Sequence, residues 1–133
     1  MKIVVIDGQG GKLGKSLVEA IKKSDIDGTV LAIGTNSIAT SAMLKAGADE
    51  GATGENPVIV ACRDADLIIG PIGILSADSL LGEITPAMAV AIGSSQAKKF
   101  LIPMNKCDNR VIGVRSYSIA DLVKETIEEI KNL

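Results

Sequence analysis

The chain has no histidine and no tryptophan, and only one phenylalanine, one tyrosine and two cysteines among its 133 residues. Each shortage excludes something. With no histidine and two isolated cysteines, Cys62 and Cys107, neither a structural zinc site nor any other metal is expected. Two cysteines are also too few for a secreted disulfide scaffold. One aromatic pair cannot build a base-stacking platform, and a net charge of -2 with a pI near 5.1 supplies no basic surface, so nucleic acid is not an expected partner. The longest apolar run, residues 67–75, is about half a membrane span and is broken by Gly70, Pro71 and Gly73. The apolar stretch after Lys2 stops at Asp7, short of a signal-peptide core. A cytoplasmic protein without membrane attachment is the expectation.

What the chain has is aliphatic residues and glycine. Hydrophobic residues make up 47% of it, and its 14 glycines permit close approach of helix to sheet. That composition suits a parallel sheet buried on both faces, and the length suits one domain spanning residues 1–133. Apolar runs and helical patterns alternate. Strands are predicted at 2–6, 29–34, 67–70, 99–102 and 111–114, with a short one near Gly51 and Ala52. Helices are predicted at 12–23, with Leu13, Leu17, Val18 and Ile21 on one face, and from Thr35, Asn36 and Ser37 to about 46. Asn56 and Pro57 read as the start of a short helix, Thr85 and Pro86 as the start of one ending at Gly93. Ser118 opens a final helix facing inward through Ile119, Leu122, Val123, Ile127 and Ile130. This rhythm predicts an α/β domain of three layers, doubly wound around a mostly parallel, Rossmann-like sheet. The helix at 86–92 is apolar all round, which predicts burial on every side, one of them against a second subunit of a homo-oligomer.

The opening carries the strongest signal. A β-branched run, Ile3-Val4-Val5-Ile6, meets Asp7-Gly8-Gln9-Gly10-Gly11-Lys12-Leu13-Gly14 and then a helix. Gly8, Gly11 and Gly14 form G-x-x-G-x-x-G, a spacing that resembles the loop of extended short-chain dehydrogenases and dihydrodipicolinate-reductase-like proteins, with Asp7 where Thr or Gly often stands. Such glycines let the backbone approach a pyrophosphate, and the helix N-terminus attracts the anion. Gly8 and Gly10 also form a G-x-G, one residue out of phase with a G-x-G-x-x-G fingerprint. Gly14-Lys15-Ser16 hints at a P-loop, but Gln9 occupies the place of its first glycine and no later strand ends in a metal-holding carboxylate. Asp7 can fold onto the loop's own N–H groups and compete with phosphate.

Around that loop the expected cofactor-binding residues are Gly8, Gly10, Gly11, Lys12, Leu13, Gly14, Thr35, Asn36, Ser37, Gly70 and Pro71. The acidic ribose ligand usual at the end of the second strand is missing, since that place reads Gly34-Thr35-Asn36-Ser37. Its absence weakens NAD and favours NADP slightly, though no arginine stands nearby; Thr35, Asn36 and Ser37 equally read as a helix cap. Gly70 and Pro71 read either as backbone against an adenine or ribose or as a sharp loop exit. Acid–base candidates are Ser76, Asp78, Glu83 and Lys106, each read first as a cap or a solvated charge. Cys107, beside Lys106, is a candidate thiolate and Cys62 a core residue; pairing of the two is conceivable.

Several segments together resemble one family: Val4-Val5-Ile6-Asp7-Gly8-Gln9-Gly10-Gly11, Gly34-Thr35-Asn36-Ser37-Ile38-Ala39-Thr40-Ser41-Ala42-Met43 and Gly51-Ala52-Thr53-Gly54-Glu55-Asn56, with Ile69-Gly70-Pro71-Ile72-Gly73 and Gly82-Glu83-Ile84-Thr85-Pro86-Ala87-Met88-Ala89. The family comprises small bacterial proteins classed as a domain of unknown function. The resemblance runs nearly end to end, implies a single Rossmann-like domain and carries no catalytic residue across. The expectation is thus a nucleotide- or dinucleotide-binding domain, with NAD or NADP as the cofactor, acting as sensor, subunit or oxidoreductase. The alternatives are a non-enzymatic oligomeric binding protein for a small phosphorylated or carboxylated metabolite and an NTP-dependent switch.

Overall fold

Five parallel strands stand in the spatial order β3-β2-β1-β4-β5, in a computed structural model that describes residues 1–104, 109–115 and 117–133. β1 (Lys2–Asp7) is central, flanked by β2 (Thr29–Gly34) and β4 (Leu67–Pro71), with β3 (Glu50–Thr53) and β5 (Lys98–Ile102) at the edges. α1 (Lys12–Lys23), α2 (Ser37–Lys45) and α5 (Ile119–Lys131) share one face; α3 (Glu55–Ala61) and α4 (Pro86–Ser94) cover the other. This is a three-layer, doubly wound α/β domain of Rossmann-like order.

Alternation along the strands divides the core in two. Ile3 and Val5 of β1 face α1 and α5, whereas Val4 and Ile6 face α3 and α4, and all four are fully buried. Leu67, Ile68 and Ile69 of β4 are likewise fully buried. Each such side chain contributes roughly 1.5–3 kcal/mol, against about 0–1 kcal/mol for a surface ion pair such as Lys22–Asp49. The aliphatic sheet therefore holds the fold. α1 buries Leu13, Leu17, Val18 and Ile21, the face its sequence predicts. It can lie close because residue 14 is glycine: a Cβ there would sit 2.8 Å from Asp7 Cβ and 2.5 Å from Met43 Sδ.

Strand order reverses between β1 and β4. β1 leads into α1 on one face and β4 leads toward α4 on the other, leaving their carboxyl ends at the point where open α/β sheets bind ligands.

Four expectations need correction. Residues 111–114 form no strand; Gly113 takes φ +90° and turns the chain, Val114 N–H reaches back to Val111, and Ile112 is almost wholly exposed. α3 starts at Glu55 after Gly54 (φ +102°), so Pro57 falls within its first turn, where a missing N–H costs nothing. α4 does not stop at Gly93 but runs through it to Ser94; Met88 and Ile92 face the sheet, while Val90, 66% exposed, lies on the side that the sequence leaves for a second subunit. A helix laid on a sheet has only one side to bury within its own chain. Ile119, the first residue of α5, is also exposed, and the helix turns Val123, Thr126 and Ile130 inward.

Gly70 lies close against β1. A Cβ there would press on the Ile6 carbonyl oxygen and lie 3.1 Å from Ile74 Cδ1. Gly70→Ala is expected to cost about 1–3 kcal/mol of stability in urea unfolding, with far-UV dichroism retained. An unchanged midpoint would show that this contact is slack.

Candidate functional site

The turn after β1 is tied by Asp7. Its side chain is buried, and the Gly8 and Gly14 N–H groups donate to Oδ1 and Oδ2 at 2.8 and 2.7 Å. One carboxylate thus grips both ends of the glycine turn, as its position in the sequence allows. Gly11 makes the bend that starts α1, with φ +74° and its N–H on the Gly8 carbonyl. A side chain is barred at Gly11 by the left-handed backbone and by Ala39 Cα, 2.7 Å from a Cβ built there. Gly14 N–H, the third of α1, is taken by Asp7, whereas the N–H groups of Gly10, Lys12 and Leu13 have no hydrogen-bond partner among the described residues. Above Gly10 lies open space, with nothing within 4 Å of a Cβ built there.

The parallel register sets Asp7 beside Gly34, and Thr35 N–H donates to the Asp7 carbonyl at 3.0 Å. The end of β2 therefore abuts the glycine turn. Asn36 takes the capping role and also ties the two loops together. Its Oδ1 caps α2 by accepting from Ala39 N–H at 2.9 Å, and its Nδ2 donates to the Gln9 carbonyl, also at 2.9 Å. Thr40, at the buried centre of this corner, joins Gly34 N–H to the Thr53 hydroxyl.

A carboxylate does stand at the end of β2, and it comes from Glu83, between β4 and α4. Glu83 Oε1 accepts from Thr35 Oγ1 at 2.6 Å, Asn36 Nδ2 at 2.7 Å and Gln9 N–H at 3.0 Å. Partial burial pushes its pKa up; the Thr35, Gln9 and Asn36 donors outweigh that and leave it below the ordinary carboxylate value. Glu83 is ionised at neutral pH. Sequence reasoning had it only as a loop acid, because its partners lie 47 to 74 residues away.

The segment delivering Glu83 is strained. After a 3-10 turn at Ile72–Leu75, Asp78, Leu80 and Leu81 all take left-handed backbone (φ 65°, 56° and 59°). Each costs of order 1–3 kcal/mol and persists only where the surroundings hold it. The anchors are Ile74 and Ile84, both fully buried, and bonds such as Asp78 N–H to the Ile84 carbonyl at 2.7 Å. Leu80 and Glu83 lie over Gly8: a Cβ there would be 2.9 Å from Leu80 Cδ1 and 3.3 Å from Glu83 Oε1.

The expected residues divide. Gly8, Gly10, Gly11, Lys12, Leu13, Gly14, Thr35 and Asn36 gather at this corner, with Lys12 exposed. Ser37 instead lines a separate groove with Lys15, Ile38 and Lys45, and the Ser16 hydroxyl is turned onto the Lys12 carbonyl. Gly70 and Pro71 are buried as the end of β4 rather than forming a loop exit, paired as far as Pro71 with Ile102. Asp78 is exposed, Ser76 follows the 3-10 turn, and Lys106 and Cys107 lie outside the described residues. Cys62 ends α3, and its thiol is raised by burial against a smaller opposing effect of Lys99. A cleft of about 460 Å³ between β5 and α5 holds Phe100 and Tyr117 but no residue of the glycine turn. No helix among the described residues is long and apolar enough to cross a membrane.

Fold and corner together define a Rossmann-like α/β domain with a glycine turn at its switch point. The chain belongs to the family described as Domain of unknown function (DUF3842), whose model matches residues 2–133. No curated protein matches it. Among solved structures, a dodecameric FMN-dependent UbiX-like decarboxylase from Escherichia coli O157:H7 is similar over 98% of this chain and 76% of that one, at 18% identity and a TM-score of 0.45. So distant a likeness carries no argument about ligand or assembly.

If Asp7 holds the turn, its removal strands two buried donors. Asp7→Ala is expected to lower stability by about 2–4 kcal/mol and Asp7→Asn, which keeps one acceptor oxygen, by roughly half as much. Equal and small losses in urea unfolding would contradict this.

Proposed function

We propose that the chain is a binding domain for a nucleotide, with NAD or NADP the first candidates, whose phosphates rest on the glycine turn and the first turn of α1. The observation that carries this is the division of donors at that turn. Asp7 and Glu83 satisfy Gly8, Gln9 and Gly14, while the N–H groups of Gly10, Lys12 and Leu13 have no partner among the described residues, next to open space over Gly10. An anion near the positive end of α1 would complete them, and the exposed Lys12 adds a cation. Thr35 and Asn36 lie where the sugar of a nucleotide on such a turn belongs. The domain would serve as a sensor, a subunit or part of an oxidoreductase. Self-association through α4 belongs to the same proposal, favoured by the exposed Val90 on a helix without charge.

Gly10 offers a clean test, because a Cβ there meets nothing within 4 Å and the backbone is not left-handed. In isothermal titration against NAD(H), NADP(H), ATP and S-adenosylmethionine, the native chain is expected to bind at least one phosphate-bearing ligand. Gly10→Leu should weaken that binding at least tenfold with the melting temperature nearly unchanged. Silence across the panel, or indifference to Gly10→Leu, would overturn the proposal.

A further inference from the structure

We propose that Glu83 reads the sugar of the bound nucleotide, so that the site takes a free ribose diol and rejects a 2′-phosphate; this rests on the nucleotide reading above and reverses the slight preference for NADP that the strand-end sequence suggests. In sheets of this order a carboxylate at the end of the second strand accepts hydrogen bonds from the ribose hydroxyls. β2 ends in Gly34-Thr35-Asn36 and has none. The chain supplies the group from the far side of the switch point, where Glu83 meets the side chains of Thr35 and Asn36 and the N–H of Gln9.

Three features make this more than a tie between loops. All three donors converge on Oε1, and Oε2 has no partner among the described residues, leaving acceptor capacity for a hydroxyl. None of the ion pairs among the described residues involves Glu83, so its negative charge is not neutralised by a lysine or arginine. A diol donates to such a group, whereas a phosphate dianion within a few ångströms is repelled by it. The carboxylate is also held in place by anchors on both sides: Ile84 follows it and is fully buried, and the left-handed run at Leu80, Leu81 and Gly82 precedes it. A fixed acceptor discriminates better than a mobile one.

The test compares NAD with NADP, which differ by the one phosphate, on the native chain and on Glu83→Gln, with thermal melting as the fold check. The native chain is expected to bind NAD at least about tenfold tighter than NADP, and Glu83→Gln to weaken NAD about tenfold and bring the ratio near one. A second arm needs no variant: adenosine 5′-monophosphate should compete for the native site and adenosine 2′,5′-bisphosphate should not. Tighter binding of both dinucleotides to Glu83→Gln would overturn the proposal, by showing that the carboxylate fills the ligand's own place. An unchanged ratio in a variant that still binds, or competition by the bisphosphate, would overturn it while leaving the nucleotide reading intact. Failure of the native chain to bind either dinucleotide would overturn it, and failure to bind ATP as well would overturn the nucleotide reading too.

Discussion

A single buried carboxylate fixes the geometry at the head of this domain. Asp7 is the last residue of β1, and its two oxygens receive the first and last glycine amides of the turn that follows. Both bonds lie in a buried position, where burial removes the competition of water. The turn is therefore shaped by the protein before any ligand arrives. Asp7's backbone carries the same order sideways, since its carbonyl receives Thr35 N–H and sets the start of α2 against the turn. Asn36 completes the link, capping α2 with its oxygen and holding Gln9 with its nitrogen.

The corner then has two carboxylates with different positions and different consequences. Asp7 works from beneath and uses the third amide of α1, so the anion-attracting end of that helix is reduced rather than abolished. Glu83 works from above, at the β2 side, and brings Leu80 with it over Gly8. Together they leave the amides of Gly10, Lys12 and Leu13 without a partner among the described residues, with open space over Gly10. The strain stored between Asp78 and Gly82 is consistent with a segment whose conformation serves the placement of one side chain rather than its own stability.

Most of the sheet was legible because its signal is local. β-branched runs bounded by glycine or aspartate mark β1 and β2, and the helical period of Leu13, Leu17, Val18 and Ile21 marks the buried face of α1. What failed was non-local. Val111 to Val114 has the composition of a strand but contains a left-handed Gly113 and pairs with no strand. Gly70 and Pro71 look like an exit, yet β5 pairs β4 to its last residue. In the site, Asp7's role could be read from its neighbours, but Glu83 reaches Thr35 across 48 residues, and no spacing rule connects them.

The most direct test of this account is to follow the backbone amides of the isotope-labelled chain by NMR as NAD is added. Shifts concentrated at Gly8, Gly10, Lys12 and Leu13, extending to Thr35, Asn36 and Glu83, are the predicted result. Shifts centred instead on the cleft of Phe100, Tyr117 and Glu125, or no shifts at all, would contradict it.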